Sequence, residues 1–267
     1  MTELERANPS SSRGAATAAG QAERSWRRPA EASGGGLEPL PPGHKFNLGC
    51  GPVQPEGWIN VDASNRAKLA SRLWPLDRAL VRLGVLAKTE FGPQVKVHDL
   101  RKPLPYPDGA AACIYAGELW EHFEYADAVR LTRECLRLLA PGGVLRICVP
   151  DGAAFWARYL ILCEEEMARA RGARSAQRLH QHVEIYFKDI STRRIWLGSL
   201  GHIHKWQYDE VQLVELLEDC GFTSVDRMRF HCSRIPDVSQ VERSDFLIVE
   251  GVKTGETGGR RQVCIAP

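Results

Sequence analysis

The chain has 267 residues, 43% hydrophobic and 25% charged, enough for one sizeable domain with ragged ends. A formal net charge of +2 gives no electrostatic case for nucleic acid or an anionic membrane surface. Apolar stretches such as Tyr159-Leu160-Ile161-Leu162-Cys163 are far too short to span a bilayer.

Residues 1 to about 43 are rich in Ala, Ser, Gly, Pro and charge and lack hydrophobic periodicity, so a disordered tail is expected there. A domain over 44–253 follows, then a solvated tail over 254–267, with no internal repeat. Short apolar runs alternate with helical patterns, which predicts a doubly wound α/β fold with a mostly parallel sheet. The expected strands are 45–48, 58–61, 95–98, 112–115, 144–149, 223–230 and 246–252. A trio of helices is clear between them. One, over 126–139, carries Ala128, Leu131, Cys135 and Leu138 on a single stripe and stops at Pro141-Gly142-Gly143. Another, over about 154–170, places Trp156, Tyr159, Leu160, Cys163 and Met167 on one side. The last runs from Glu210 to Asp219, with Asp209 as its cap, Gln212 reaching back and Gly221 ending it. Apolar positions around Trp74, within 66–86, predict a further packing helix. The eight cysteines are scattered, with no Cys-x-x-Cys pair, so a zinc ribbon has no support. They read as reduced thiols, and a cytoplasmic setting is expected.

Gly49-Cys50-Gly51 directly follows an apolar strand, where glycine lets backbone approach a ligand or simply end the strand. A dinucleotide loop fits poorly: the third glycine would fall at Gln54, Pro52 interrupts the helix start, and Asp62 comes too early. Asp62 closes the next strand and can accept hydrogen bonds from both hydroxyls of a ribose; Asp99 has the same station one strand later, within reach of an adenine amino group. This ordered set suits an adenosyl ligand without phosphates. Only 52–57 separate the first two strands, too few for the usual crossover helix. Either that helix is reduced to a turn or 58–61 is not a strand.

Asn47-Leu48-Gly49-Cys50-Gly51, Gly57-Trp58-Ile59-Asn60-Val61-Asp62 and His98-Asp99-Leu100 with Pro103-Leu104-Pro105-Tyr106 carry a family resemblance, as do Leu119-Trp120-Glu121-His122-Phe123, 134–143, 145–151 and His204-Lys205-Trp206-Gln207-Tyr208-Asp209. Together they resemble the class I S-adenosylmethionine-dependent methyltransferases, and more narrowly a type 11-like bacterial subgroup with an abbreviated first helix. The resemblance implies a seven-stranded sheet in a three-layer sandwich, with an antiparallel edge hairpin from the last two strands. It implies S-adenosyl-L-methionine as cofactor, held by Asn47, Gly49, Cys50 and Gly51 at the methionine end and Asp62 at the ribose. Asp99 and Leu100 would meet the adenine, and Ala116 and Gly117 would flank the sulfonium.

Methyl transfer needs positioning, and a general base when the acceptor must lose a proton. His122, Glu118 and His204 are the candidate catalytic residues, although His122 reads equally as a satisfied histidine at a helix start. Glu118, Glu121 and His122 would share one helical face. A similar Glu-x-x-Glu-His arrangement binds a divalent metal in some methyltransferases, whereas the subgroup usually has histidine at position 118; the metal reading stays open. Residues 152–207, with His180, His182, Trp196, His202, His204 and Trp206, are the expected substrate lid. The acceptor is expected to be a small molecule, with no nucleic-acid or membrane partner. A non-catalytic partner subunit of the same fold is the alternative, and a nicotinamide-dependent dehydrogenase a weaker one. Oligomeric state and acceptor are not encoded in these motifs.

Overall fold

A computed structural model describes residues 40–64, 67–68, 79–80, 82–84, 92, 94–191 and 203–255. Residues 1–39 of the expected tail, Trp74 and most of its segment, Trp196 and His202 in the lid, and the tail from 256 lie outside the described residues.

The strands are β1 (His44–Leu48), β2 (Trp58–Asp62), β3 (Lys96–Val97), β4 (Ala111–Gly117), β5 (Leu139–Val149), β6 (Thr223–Arg227) and β7 (Leu247–Val252). They form one seven-stranded sheet in the order β3-β2-β1-β4-β5-β7-β6. Strands β1 to β5 pair in parallel, and β7 runs antiparallel to both β5 and β6. The expected mostly parallel sheet with an antiparallel edge is thus present. Strands β4 and β5 are apolar and buried along almost their whole length, as strands covered on both faces must be.

The helices are α1 (Tyr125–Leu138), α2 (Gly152–Ala168), α3 (Gln177–Ser191) and α4 (Glu210–Asp219). Helix α1 buries Ala128, Leu131, Cys135 and Leu138, the stripe read from the sequence. Its end differs from expectation. The chain passes straight from Leu138 into β5, so Pro141-Gly142-Gly143 lies inside the strand rather than in a turn before it. Backbone bonds explain this: Gly142 N–H donates to Lys253 O at 2.7 Å and Lys253 N–H to Gly143 O at 2.9 Å, stitching the segment to the chain leaving β7. Helix α4 is capped as predicted, with Asp209 Oδ1 accepting from Gln212 N at 2.9 Å. Gln212 Nε2 reaches back to the Asp209 carboxylate at 2.9 Å, not to the backbone.

Helix α2 corrects a face assignment. Trp156, Leu160 and Met167 are exposed, and the inward seam runs through Gly152, Leu162 and Glu166, with Phe155 half-buried. The seam is set by α3, which returns along α2: Phe155 stacks on His182 at 4.2 Å between centroids and Glu166 accepts from Ser175 N at 3.0 Å. No helix among the described residues is long and apolar enough to cross a membrane, and every described cysteine is a free thiol.

The short β1–β2 connection is settled in favour of both strands. Residues 49–57 form only turns, and β1 and β2 pair in register from Lys45↔Trp58 to Leu48↔Val61. Buried amides stand in for the missing helix. Asn47 Nδ2 donates to Asn60 Oδ1 at 3.0 Å and Val53 O at 2.9 Å, and Asn60 Nδ2 donates to Pro55 O and Trp58 O at 3.2 Å. These bonds give the Val53, Pro55 and Trp58 carbonyls side-chain partners.

Arg146, in the centre of β5, is fully buried. Its Nε and Nη2 donate to the Glu242 carboxylate at 2.7 and 2.8 Å, and Nη1 donates to Glu250 Oε1 at 2.7 Å. The remaining N–H groups reach Cys232 O at 2.9 Å and Arg229 O at 3.0 Å. All guanidinium donors are therefore used, with two carboxylates for one cation, and Arg234 Nη1 approaches Glu250 Oε2 at 3.4 Å. Removing the guanidinium strands two buried carboxylates. We expect Arg146→Met to cost about 3–5 kcal/mol in urea unfolding, the range for a broken buried ion pair; a loss below about 1 kcal/mol would contradict this account.

Candidate functional site

The Gly loop turns at the carboxyl end of β1. Gly49 and Gly51 take φ of +64° and +51°, a region costly for other residues. Gly51 N–H donates to Asp62 Oδ2 at 3.0 Å, and Asp62 Oδ1 accepts from Ser64 N at 2.7 Å. The carboxylate at the end of β2 therefore holds the loop in shape.

A cavity of about 160 Å³ opens beside this loop, lined by Asn47, Gly49, Gly51, Tyr115, Gly117 and Glu118, and by Val241, Arg243 and Ser244 from the segment before β7. Four of the residues named as cofactor contacts meet here: Asn47, Gly49, Gly51 and Gly117. The side chains of Cys50, Leu100 and Ala116 do not; they are buried in the core, and burial, helped by Asp62, pushes the Cys50 thiol up to about 12. Asp99 lies after β3, away from the cavity lining, and Arg101 grips it with Nε to Oδ1 at 2.9 Å and Nη2 to Oδ2 at 2.7 Å. These bonds lower its carboxyl to about 2. Gly117 is needed for space: a Cβ there would sit 2.5 Å from Tyr115 Oη.

Arg243 and Ser244 were missed from the sequence. Arg243 Nη2 donates to Cys50 O at 2.7 Å, and the Ser244 hydroxyl donates to the Glu118 carboxylate. Nothing in the local pattern marks them, since their position depends on the Arg146 ion cluster nearly one hundred positions away.

The segment after β4 breaks from the expected helix. Glu118 has φ of +52°, and only Trp120–His122 form a single 3-10 turn. Glu118, Glu121 and His122 therefore do not share one helical face. Glu118 turns to the small cavity, whereas Glu121 lines a second cavity of about 750 Å³ together with Phe155, Tyr186, His204, Trp206 and Asp245. Trp120 anchors the turn from beneath, fully buried, with Nε1 donating to Thr132 Oγ1 at 3.1 Å.

Lys205 N–H and Trp206 N–H donate to Glu121 O at 2.7 and 3.2 Å, which brings His204 alongside His122, their ring centroids 5.0 Å apart. His122 Nδ1 lies 3.2 Å from Ile203 O, a pure acceptor, so that nitrogen carries the proton. Glu121 is only 2% exposed, and neither of its carboxylate oxygens has a hydrogen-bond partner. Burial, reinforced by the Glu118 charge, pushes its carboxyl up to about 8. His182 faces α2 rather than this cluster, its Nε2 2.9 Å from Phe155 O.

Comparison with known proteins bears on this arrangement. Residues 47–147 match the family model described as a methyltransferase domain. No curated protein matches the sequence. Among solved structures, the chain is similar to an S-adenosylmethionine-dependent methyltransferase of Thermotoga maritima, with 16% identity over 80% of this chain and 84% of the other at a TM-score of 0.41. Another, from Methanosarcina mazei, has 15% identity over 79% and 92% at a TM-score of 0.42. A geranyl diphosphate methyltransferase in complex with GPP and sinefungin has 14% identity over 82% and 75% at 0.39. The segment that matches the methyltransferase-domain model runs from β1 into β5, the parallel part of the sheet described above.

Proposed function

We propose that the protein is an enzyme that transfers a methyl group from S-adenosyl-L-methionine to a small-molecule acceptor. The observation that carries this reading is a pair of cavities lined from the same two short stretches of chain. Glu118 and Ser244 line the smaller, and Glu121 and Asp245 the larger. A donor in one and an acceptor in the other would meet across those stretches, and the rate gain would come from alignment and exclusion of water.

The residues present suit the cofactor. Gly51 leaves open space beside the loop, its nearest neighbour on the Cβ side being Arg243 Nη2 at 3.9 Å, while Gly49 and Gly117 let Leu119 and Tyr115 pack close against the backbone. Asn47 and the backbone of Gly49, Cys50 and Gly51 would hold the methionine end, with Arg243 positioned for its carboxylate. Asp62 would accept from the ribose. Asp99, kept ionised by Arg101, would accept from the adenine amino group, with Leu100 contributing backbone there and Ala116 backbone beside Gly117. When bound, the cofactor supplies the electrophilic methyl group. The chain's own part is to place the acceptor: Phe155, Tyr186 and Trp206 offer apolar and aromatic wall, and His204, Asp245 and Arg227 offer polar contacts. Of the three candidate catalytic residues, His204 is the one that lines the larger cavity; Glu118 lines the smaller, and His122 lies beside His204, their ring centroids 5.0 Å apart. The domain division at 44–253, the lid at 152–207 and a cytoplasmic setting belong to the same proposal.

Calorimetry with S-adenosylhomocysteine should give one site on the wild type. Asp62→Asn should weaken it about 10- to 100-fold, since a charged acceptor is lost. No binding to the wild type, or undiminished binding in the variant, would sink the reading. For Asp99, carbon-detected NMR titration of the ligand-free protein should find the carboxyl ionised down to about pH 2. In Arg101→Ala its midpoint should return to about 4, the usual aspartate value. Because the folded-state value is the depressed one, the stabilisation from this pair is present above about pH 4 and is lost as pH falls toward 2.

A further inference from the structure

Glu121, His122 and His204 each offer a ligand atom, and these atoms lie within 4.8 Å of one another. We propose that they form a site for a divalent transition-metal cation beside the larger cavity, which Glu121 and His204 both line.

The first argument is an unmet electrostatic need. Glu121 is almost fully enclosed, and both of its carboxylate oxygens lack a donor. Buried polar atoms are nearly always paired, because an unpaired one carries its full desolvation cost. Backbone N–H groups do come close, but Lys205 and Trp206 spend theirs on the Glu121 carbonyl. A cation is the partner this carboxylate lacks.

The second argument is the tautomer. The Ile203 carbonyl takes the proton of His122 Nδ1, and the imidazole lone pair is then on Nε2. An outer carbonyl that fixes the ring and leaves the other nitrogen as donor to a metal is the usual support of a ligating histidine. The same backbone run, Ile203 to Trp206, both orients His122 and delivers His204, so one strap builds the cluster from residues eighty positions apart.

Ligand chemistry selects the ion. Two imidazoles and one carboxylate suit zinc, iron(II) or manganese(II), whereas magnesium prefers oxygen ligands throughout. Three protein ligands leave at least one coordination position, and the cavity is where it would open. If the methyl-transfer reading holds, an acceptor oxygen coordinated there would lose its proton more readily. The cation site itself does not depend on that reading.

The test uses the full chain after chelator treatment. Calorimetric titration with Zn²⁺ or Mn²⁺ should give one site, with Mg²⁺ weaker by at least about tenfold. Glu121→Gln and His204→Gln should each weaken Zn²⁺ by at least about tenfold. Both variants should keep wild-type S-adenosylhomocysteine affinity, which separates failure of this site from failure of the cofactor site. Metal-free Glu121→Gln should melt no lower than the metal-free wild type, because it removes a carboxylate without a partner. Co²⁺ should give a visible absorption band in the wild type that His204→Gln shifts or abolishes. Absence of Zn²⁺ and Mn²⁺ binding, or binding unchanged in both variants, would overturn the proposal and leave Glu121 a protonated buried acid.

Discussion

The Arg146 guanidinium, buried in β5 between Glu242 and Glu250, ties together stretches of chain about one hundred positions apart. Glu250 lies directly opposite it in β7, so this pair locks the antiparallel register at the sheet's edge. Glu242 is different: it sits in irregular chain with no ladder of its own. Its two bonds to Arg146, together with His231 N–H donating to Glu242 Oε2 at 2.7 Å, fold the segment 228–246 back over the strand ends. Val241, Arg243 and Ser244 reach the small cavity only because of that fold, and Asp245 and Phe246 reach the large one. Burying such a cluster gains little net free energy over apolar packing, but it tolerates only one arrangement of the chain around it.

Much of this was legible in the sequence, for local reasons. Strand positions followed from apolar runs, the α1 stripe from helical periodicity, and the α4 cap from Asp209 and Gln212. The topology followed once the ordered motifs were joined. Other features depend on contacts distant in sequence. The inward seam of α2 is chosen by α3, so periodicity within α2 pointed one residue astray. Pro141-Gly142-Gly143 looks like a terminator, yet Lys253 draws it into β5. A signal for the ion cluster did exist: Arg146 and Glu250 are lone opposite charges within otherwise apolar strands, a pattern that only a mutual pairing makes tolerable.

The candidate site divides its two carboxylates by backbone conformation. Left-handed geometry at Glu118, costing on the order of 1–3 kcal/mol for a residue other than glycine, aims it at the Gly-loop side. Three residues on, Glu121 is turned into the protein by the 3-10 turn that Trp120 anchors. A regular helix would have put both acids on one face, as the sequence suggests, and merged the two environments. Departure from that helix keeps a hydrogen-bonded acid and a desolvated one within a single short segment.

The turn between β1 and β2 also bears on how the sheet can assemble. Parallel pairs ordinarily wait for a long crossover to close, and β1–β4 and β4–β5 both join residues far apart in the chain. Residues 49–57 make β1–β2 almost as local as a hairpin, with a correspondingly small loss of chain entropy on closure. The Asn47–Asn60 bond forms within that same short loop. The end of the sheet that carries the small cavity is therefore also the region where parallel pairing is least expensive to begin, so the Gly loop can take shape before the distant strands arrive.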